Sequence, residues 1–164
     1  MPQATYQGVL RFEDIEIEVA ILEDGQRVIT QSGFMVGLGR TRPPKGRPYY
    51  KSGTNLPAFL KVQNLEPFIV EDLVTAAHQI EFRTKSGAKA FGYTPEFLPE
   101  VCRAFARAQH AGVLKAAQHK IANRAKTIAE QLERSFTMRL IHEATNYQEC
   151  REKQTQRNPC RYEE

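Results

Sequence analysis

Apolar and polar residues alternate with a period near two over the first thirty positions and with a helical period over the last seventy. Residues 8–12 and 15–22 are β-branched runs. Ile15, Ile17, Val19 and Ile21 fall on one face of the second run, and Glu13-Asp14 between the runs fits a turn. Glu23-Asp24-Gly25 is a second turn signal, followed by a short third strand over 27–30. Thr30 or Ser32 can N-cap a short helix through Leu38, with Gly39 as its stop. Residues 40–55, RTRPPKGRPYYKSGTN, have no period and contain three prolines and two glycines. A loop of that length in a compact domain is usually functional or disordered.

Beyond the loop, 56–65 reads as a short helix entered through Pro57, and 71–77 as another after Pro67. Residues 79–84 and 89–93 flank Lys85-Ser86-Gly87, a hairpin signature. Thr94 as N-cap and Pro95 at the first helical position open a helix to about Ala111, stopped by Gly112, with an apolar stripe at Phe97, Leu98, Val101, Phe105 and Ala108. Residues 113–134 carry Leu114, Ile121, Ile128 and Ala117, Ala125, Leu132 at mixed three–four spacing, which suits an antiparallel helix pair or the seam of a homo-oligomer. A last helix is expected over 137–154, then a polar tail. The fold class read from this pattern is α+β: a strand, hairpin and helix domain over 1–93, a helical region over 94–155 and a flexible tail over 156–164.

Composition changes little in that picture. At 164 residues, 41% hydrophobic and 26% charged, the chain has the make-up of a globular protein able to bury its own core. No apolar run is long enough to span a bilayer, and the start lacks the basic and apolar regions of a secretory signal. The three cysteines, Cys102, Cys150 and Cys160, suit a reducing compartment, so the expected location is the cytoplasm.

Charge changes more. The net charge of +4 is unevenly spread: residues 1–39 sum to −4, 40–54 to +5, 55–101 to −2, 102–140 to +6 and 141–164 to −1. A localised positive field draws polyanions far better than a diffuse one. The first candidate site is therefore the loop with Arg40, Arg42, Lys45, Arg47 and Lys51, where Tyr49 and Tyr50 are placed to stack on bases. The second is the face carrying Arg103, Arg107, Lys115, Lys120, Arg124 and Lys126, in which Lys120 and Arg124 are helical neighbours. Either set reads equally well as solvated charge, the helical face more so.

Other chemistry is weaker. His142-Glu143-Ala144-Thr145-Asn146 falls one imidazole short of the HExxH zinc pattern, and Asn146 is a poor zinc ligand. Cys102 with His110 and His119, or His142 with Cys150 and Cys160, lack the paired spacing of a zinc site. Gly37-Leu38-Gly39 follows a helix and has Arg42 in place of a third glycine, so no dinucleotide loop is implied. No catalytic set, metal or cofactor is nominated, and the expectation is a protein that is not an enzyme.

Two stretches resemble a known family. Residues 22–40, LEDGQRVITQSGFMVGLGR, resemble the N-terminal segment of phage and bacterial proteins of the P-sixty-three-C type, and 140–148, LIHEATNYQ, resembles their LIDEATGYQ helix motif. Leu56 to Leu60, Gly92-Tyr93 and Leu98 to Cys102 fall between them in the expected order. His142 stands in place of the family's usual Asp and Asn146 in place of Gly, and the chain stops soon after the motif, as in a divergent, shortened member. The order of elements is similar in outline to BRO-N. The resemblance implies a DNA-associated regulator from a phage or mobile element, and a structural role for His142, Glu143, Ala144, Thr145, Asn146, Tyr147 and Gln148. Together these readings give a nucleic-acid-binding protein, with DNA expected before RNA. The alternative is a protein-interaction module that inhibits or assists a host or phage protein complex.

Overall fold

A computed structural model describes residues 1–40 and 56–145. Five strands, β1 (Ala4–Phe12), β2 (Ile15–Leu22), β3 (Arg27–Thr30), β4 (Gln79–Arg83) and β5 (Lys89–Tyr93), form one antiparallel sheet in the order β1-β2-β3-β5-β4. Helices follow, so the chain is α+β, as the pattern predicts. β1 starts four residues earlier than its β-branched run, because Ala4 pairs with Leu22.

Burial falls on both faces of β2, and this corrects the single buried face expected for it. Ile15 and Ile17 are buried, but Val19 and Ile21 are only half-buried, and burial passes to Ala20 and Leu22 on the other face. There Ala4, Ala20, Leu22, Val28, Ile80 and Phe82 make a core supplied by strands alone. The chain start closes over its margin. The Arg83 amide donates to the Pro2 carbonyl (2.8 Å), and the Lys85 amide donates to Oε1 of Gln7 (2.8 Å).

Helix α1 (Gln31–Gly37) lies against the opposite face of β2. Thr30 is its N-cap: the Gly33 amide donates to the Thr30 hydroxyl oxygen (3.0 Å). At the other end the Gly39 amide donates to the Val36 carbonyl (2.9 Å) and the Arg40 amide to the Met35 carbonyl (2.7 Å), with Gly39 at φ +83°. This doubly bonded left-handed stop requires a residue that tolerates positive φ. Gly33 and Gly37, one turn apart, allow the helix to touch β2. A Cβ on Gly33 would sit 2.5 Å from the Glu18 backbone nitrogen, and one on Gly37 would sit 2.6 Å from the Ile17 side chain.

Residues 56–65 do not form the expected helix. Two 3-10 turns stand there, Ala58–Leu60 and Gln63–Phe68, the second holding Pro67, which has no N–H to continue an α-helix. A short helix α2 (Glu71–Ala76) follows. Helix α3 (Phe97–His110) begins two residues later than predicted, because the Thr94 hydroxyl donates to the Ala76 carbonyl (3.2 Å) instead of capping it. Its buried stripe is the predicted one, extended by Cys102 and Ala104. Phe97 stacks on Tyr93 (centroids 4.3 Å apart) and meets Phe34 (4.9 Å), and Phe59 bridges Phe34 and Phe105 (6.3 Å each).

Helix α4 (Ala116–Thr145) runs without a break through the gap expected between helices at 113–134 and 137–154; residues 146–154, and the tail expected at 156–164, lie outside the described residues. Ser135 and Thr137 are weak helix formers but not breakers, and the Thr137 hydroxyl bonds back to the Glu133 carbonyl (3.0 Å). The first compact unit is Met1–Ala129, so the expected boundary after residue 93 falls inside it, and the second is Glu130–Glu164. In the first unit, α4 buries Ile121, Ala122, Ala125 and Ile128, while Ala117 of the expected seam is exposed and Leu114 half-buried. No described helix is long and apolar enough to cross a membrane.

Candidate nucleic-acid interface

One cation of the α4 face reaches the end of α1, where the basic loop begins. The Arg124 Nε donates to the Gly37 carbonyl (2.8 Å), one of the acceptors left at the end of α1, so a cation completes a helix C-terminus. A Cβ on Gly39 would lie 3.1 Å from Cδ of Arg124. The root of the basic loop therefore rests on α4. Arg40, the first loop cation, is exposed, with its guanidinium 5.4 Å from the Phe59 ring centroid. Arg42, Lys45, Arg47, Tyr49, Tyr50 and Lys51 lie outside the described residues.

Arg124 is thus half-buried and structural, where the spacing alone had placed it on an open face. Lys115, Lys120 and Lys126 are exposed. Six residues apart on a helix, Lys120 and Lys126 point about 120° from each other, on either side of Asn123, so together they form a broad surface and not a line. On α3, Arg103 and Arg107 are both exposed, Arg103 bonding to Glu100 (2.8 Å).

The turn that aims this part of α4 is tied down by two residues the charge reading passed over. Oε1 of Gln118 accepts from the Lys115 amide (2.7 Å) and from Nδ2 of Asn64 (2.6 Å), and Nδ2 of Asn64 also donates to the Val113 carbonyl (3.0 Å). A Gln three residues after Lys115 has the spacing of a capping box, which was legible in the sequence. The Asn64 contact, more than fifty residues away, was not.

His142 is half-buried on α4, Glu143, Ala144 and Thr145 are exposed, and the Thr145 hydroxyl donates to the Ile141 carbonyl (2.8 Å). Asn146, Tyr147 and Gln148 lie outside the described residues. Among the described residues no group of three or more His, Cys, Asp or Glu is placed to hold a metal.

Cys102 is buried in α3, and burial pushes its thiol up to about 12, against a smaller opposing pull from the Arg103 charge. It is expected to resist thiol reagents in the folded protein. In the unfolded chain the thiol ionises near its ordinary value of 9.0, so stability supplied by this group is intact below pH 9 and is lost as pH rises toward 12. Urea unfolding at pH 8 and 10 should show a loss of about 1.4 kcal/mol from this group, absent in Cys102→Ala. An equal loss in the variant would show that other groups cause it.

Comparison of the chain with protein-family models, with curated proteins and with solved structures gives no match.

Proposed function

We propose that the protein binds nucleic acid without catalysing a reaction on it, through the basic loop at 40–51 and the exposed cations at the start of α4. The observation that carries this reading is the contact of Arg124 with Gly37 and Gly39, which roots the loop beside Lys120. Arg40, the first cation of the +5 segment, follows directly on the α1 end that Arg124 of α4 completes, and cations of one sign brought together cost some repulsion. A polyphosphate removes that cost. Duplex DNA is the proposed ligand and a regulatory role in a phage or mobile element the proposed setting, the latter resting on the likeness of residues 22–40 and 140–148 to the P-sixty-three-C type.

The test is a variant with Lys115, Lys120 and Lys126 changed to Ala. Each lost phosphate contact removes about 0.9 from the slope of log affinity against log salt, so the triple variant should bind DNA with a slope shallower by about 2.7. An unchanged slope would take α4 out of the interface.

A second reading has its own observation. In the second unit, Phe136, Met138, Leu140 and Ile141 of α4 are each about half exposed, with Arg139 stacked over Phe136 (5.7 Å). A helix with that much bare apolar surface suits docking to a host or phage protein, or to a second helix of the same kind. A partner that stays bound through high salt and nuclease treatment would favour this reading.

A further inference from the structure

We infer that the protein self-associates through the free edge of β1, a second copy adding its own β1 antiparallel to the first to make one continuous sheet. The inference is independent of nucleic-acid binding. β1 is an end strand of the sheet, paired only with β2 along its length. Its start is covered where Pro2 and Gln7 meet the β4–β5 turn, but among the described residues no backbone hydrogen bond reaches the outer edge of residues 8–12. Native edges of this kind are normally guarded by proline, lysine, a bulge or an inward charge. Here the sequence is Gly-Val-Leu-Arg-Phe, and its one charge, Arg11, is turned to Glu16 on β2 (3.1 Å). Val9 and Leu10 are each 39% exposed, one on either face of the strand.

Charge selects the occupant. The β1–β2 turn is acidic, with Glu13 and Asp14, and Glu16 and Glu18 follow on β2. The β4–β5 turn carries Lys85, flanked by Arg83 at the end of β4 and by Lys89 of β5, which pairs with Glu81 (3.6 Å), and it lies beside the start of β1. Antiparallel pairing with Leu10 on the twofold sets Gly8 opposite Phe12 of the other copy and Val9 opposite Arg11. Continuing that register brings Asp14 of each copy opposite Tyr6 of the other, against the turn that carries Lys85. Among the described residues neither Asp14 nor Lys85 has an ion pair of its own. One twofold operation therefore joins two bare edges and two pairs of opposite charge. An edge this short makes a small interface, so the dimer is weak, in the micromolar range or above.

Sedimentation velocity on the full chain, at concentrations from micromolar to roughly millimolar and at low salt, should show a monomer–dimer equilibrium. Leu10→Lys places two ammonium groups at the twofold and should raise the dissociation constant by at least about tenfold. Asp14→Lys and Lys85→Glu should each weaken the dimer roughly fivefold, and the double variant should restore it. All of these sites are exposed, and an unchanged circular dichroism spectrum confirms that each variant folds. A chain that stays monomeric throughout overturns the inference. So does a dimer that ignores Leu10→Lys but is lost on changing Phe136 and Leu140 to Ser, since that places the contact on α4.

Discussion

Replacing Gly33 with alanine is expected to destabilise the protein by about 3 kcal/mol or more, a large effect for adding one methyl group. The methyl would stand 2.5 Å from the backbone nitrogen of Glu18, 2.7 Å from the Thr30 hydroxyl oxygen and 2.9 Å from Cβ of Glu18. Two of these neighbours cannot rotate away. The nitrogen belongs to β2, where Glu18 is paired with Val9 of β1, and the hydroxyl is the N-cap of α1. Relief requires lifting α1 off the sheet, which would open the cluster of Phe34, Tyr93 and Phe97 beneath it. Chemical denaturation measures the loss, and Gly8→Ala, where a Cβ meets nothing within 4 Å, is the control that should stay within about 0.5 kcal/mol. Equal effects at the two glycines would contradict this packing.

The second large effect is expected in binding. Changing Arg40, Arg42, Lys45, Arg47 and Lys51 together to alanine should flatten the salt dependence of DNA affinity by about 4.5 in log–log slope. Between 50 and 200 mM salt the wild type should then lose roughly 500-fold more affinity than the variant. The fold should be unaffected, because Arg40 is exposed and the α1 stop beside it uses the Arg40 backbone amide, which alanine keeps. If the wild-type slope survives all five changes, the loop is not the interface.

Elements with local signals were legible in the sequence. The β1–β2 and β4–β5 hairpins, the Thr30 cap, the Gly39 stop and the α3 stripe each rest on residues within a few positions of one another. The reading failed where distant contacts decide. Thr94 looked like a cap but bonds Ala76, a carbonyl eighteen residues back. Burial in β2 changes face because the chain start and β4 close over Ala20 and Leu22, which no alternation within β2 can announce. The break expected before residue 137 came from a lack of apolar pattern, yet a helix continues until something stops it, and nothing there does.

The same distinction applies to the site. The charge runs were visible, but not that Arg124 belongs to the end of α1, since that bond spans 87 positions. The glycines of the 22–40 stretch also gain a physical meaning. Gly33 and Gly37 let α1 touch β2, and Gly39 ends the helix against Arg124, so that part of the motif maintains the platform from which the basic loop departs.

The central claim, that this platform presents cations to a nucleic acid, is tested most directly by titrating the purified protein into labelled duplex DNA, single-stranded DNA and RNA at two salt concentrations. The account predicts micromolar or tighter binding that weakens steeply as salt rises, with duplex DNA bound best. Absence of binding to all three at low salt would contradict it and leave the bare apolar surface of α4 as the leading site of interaction.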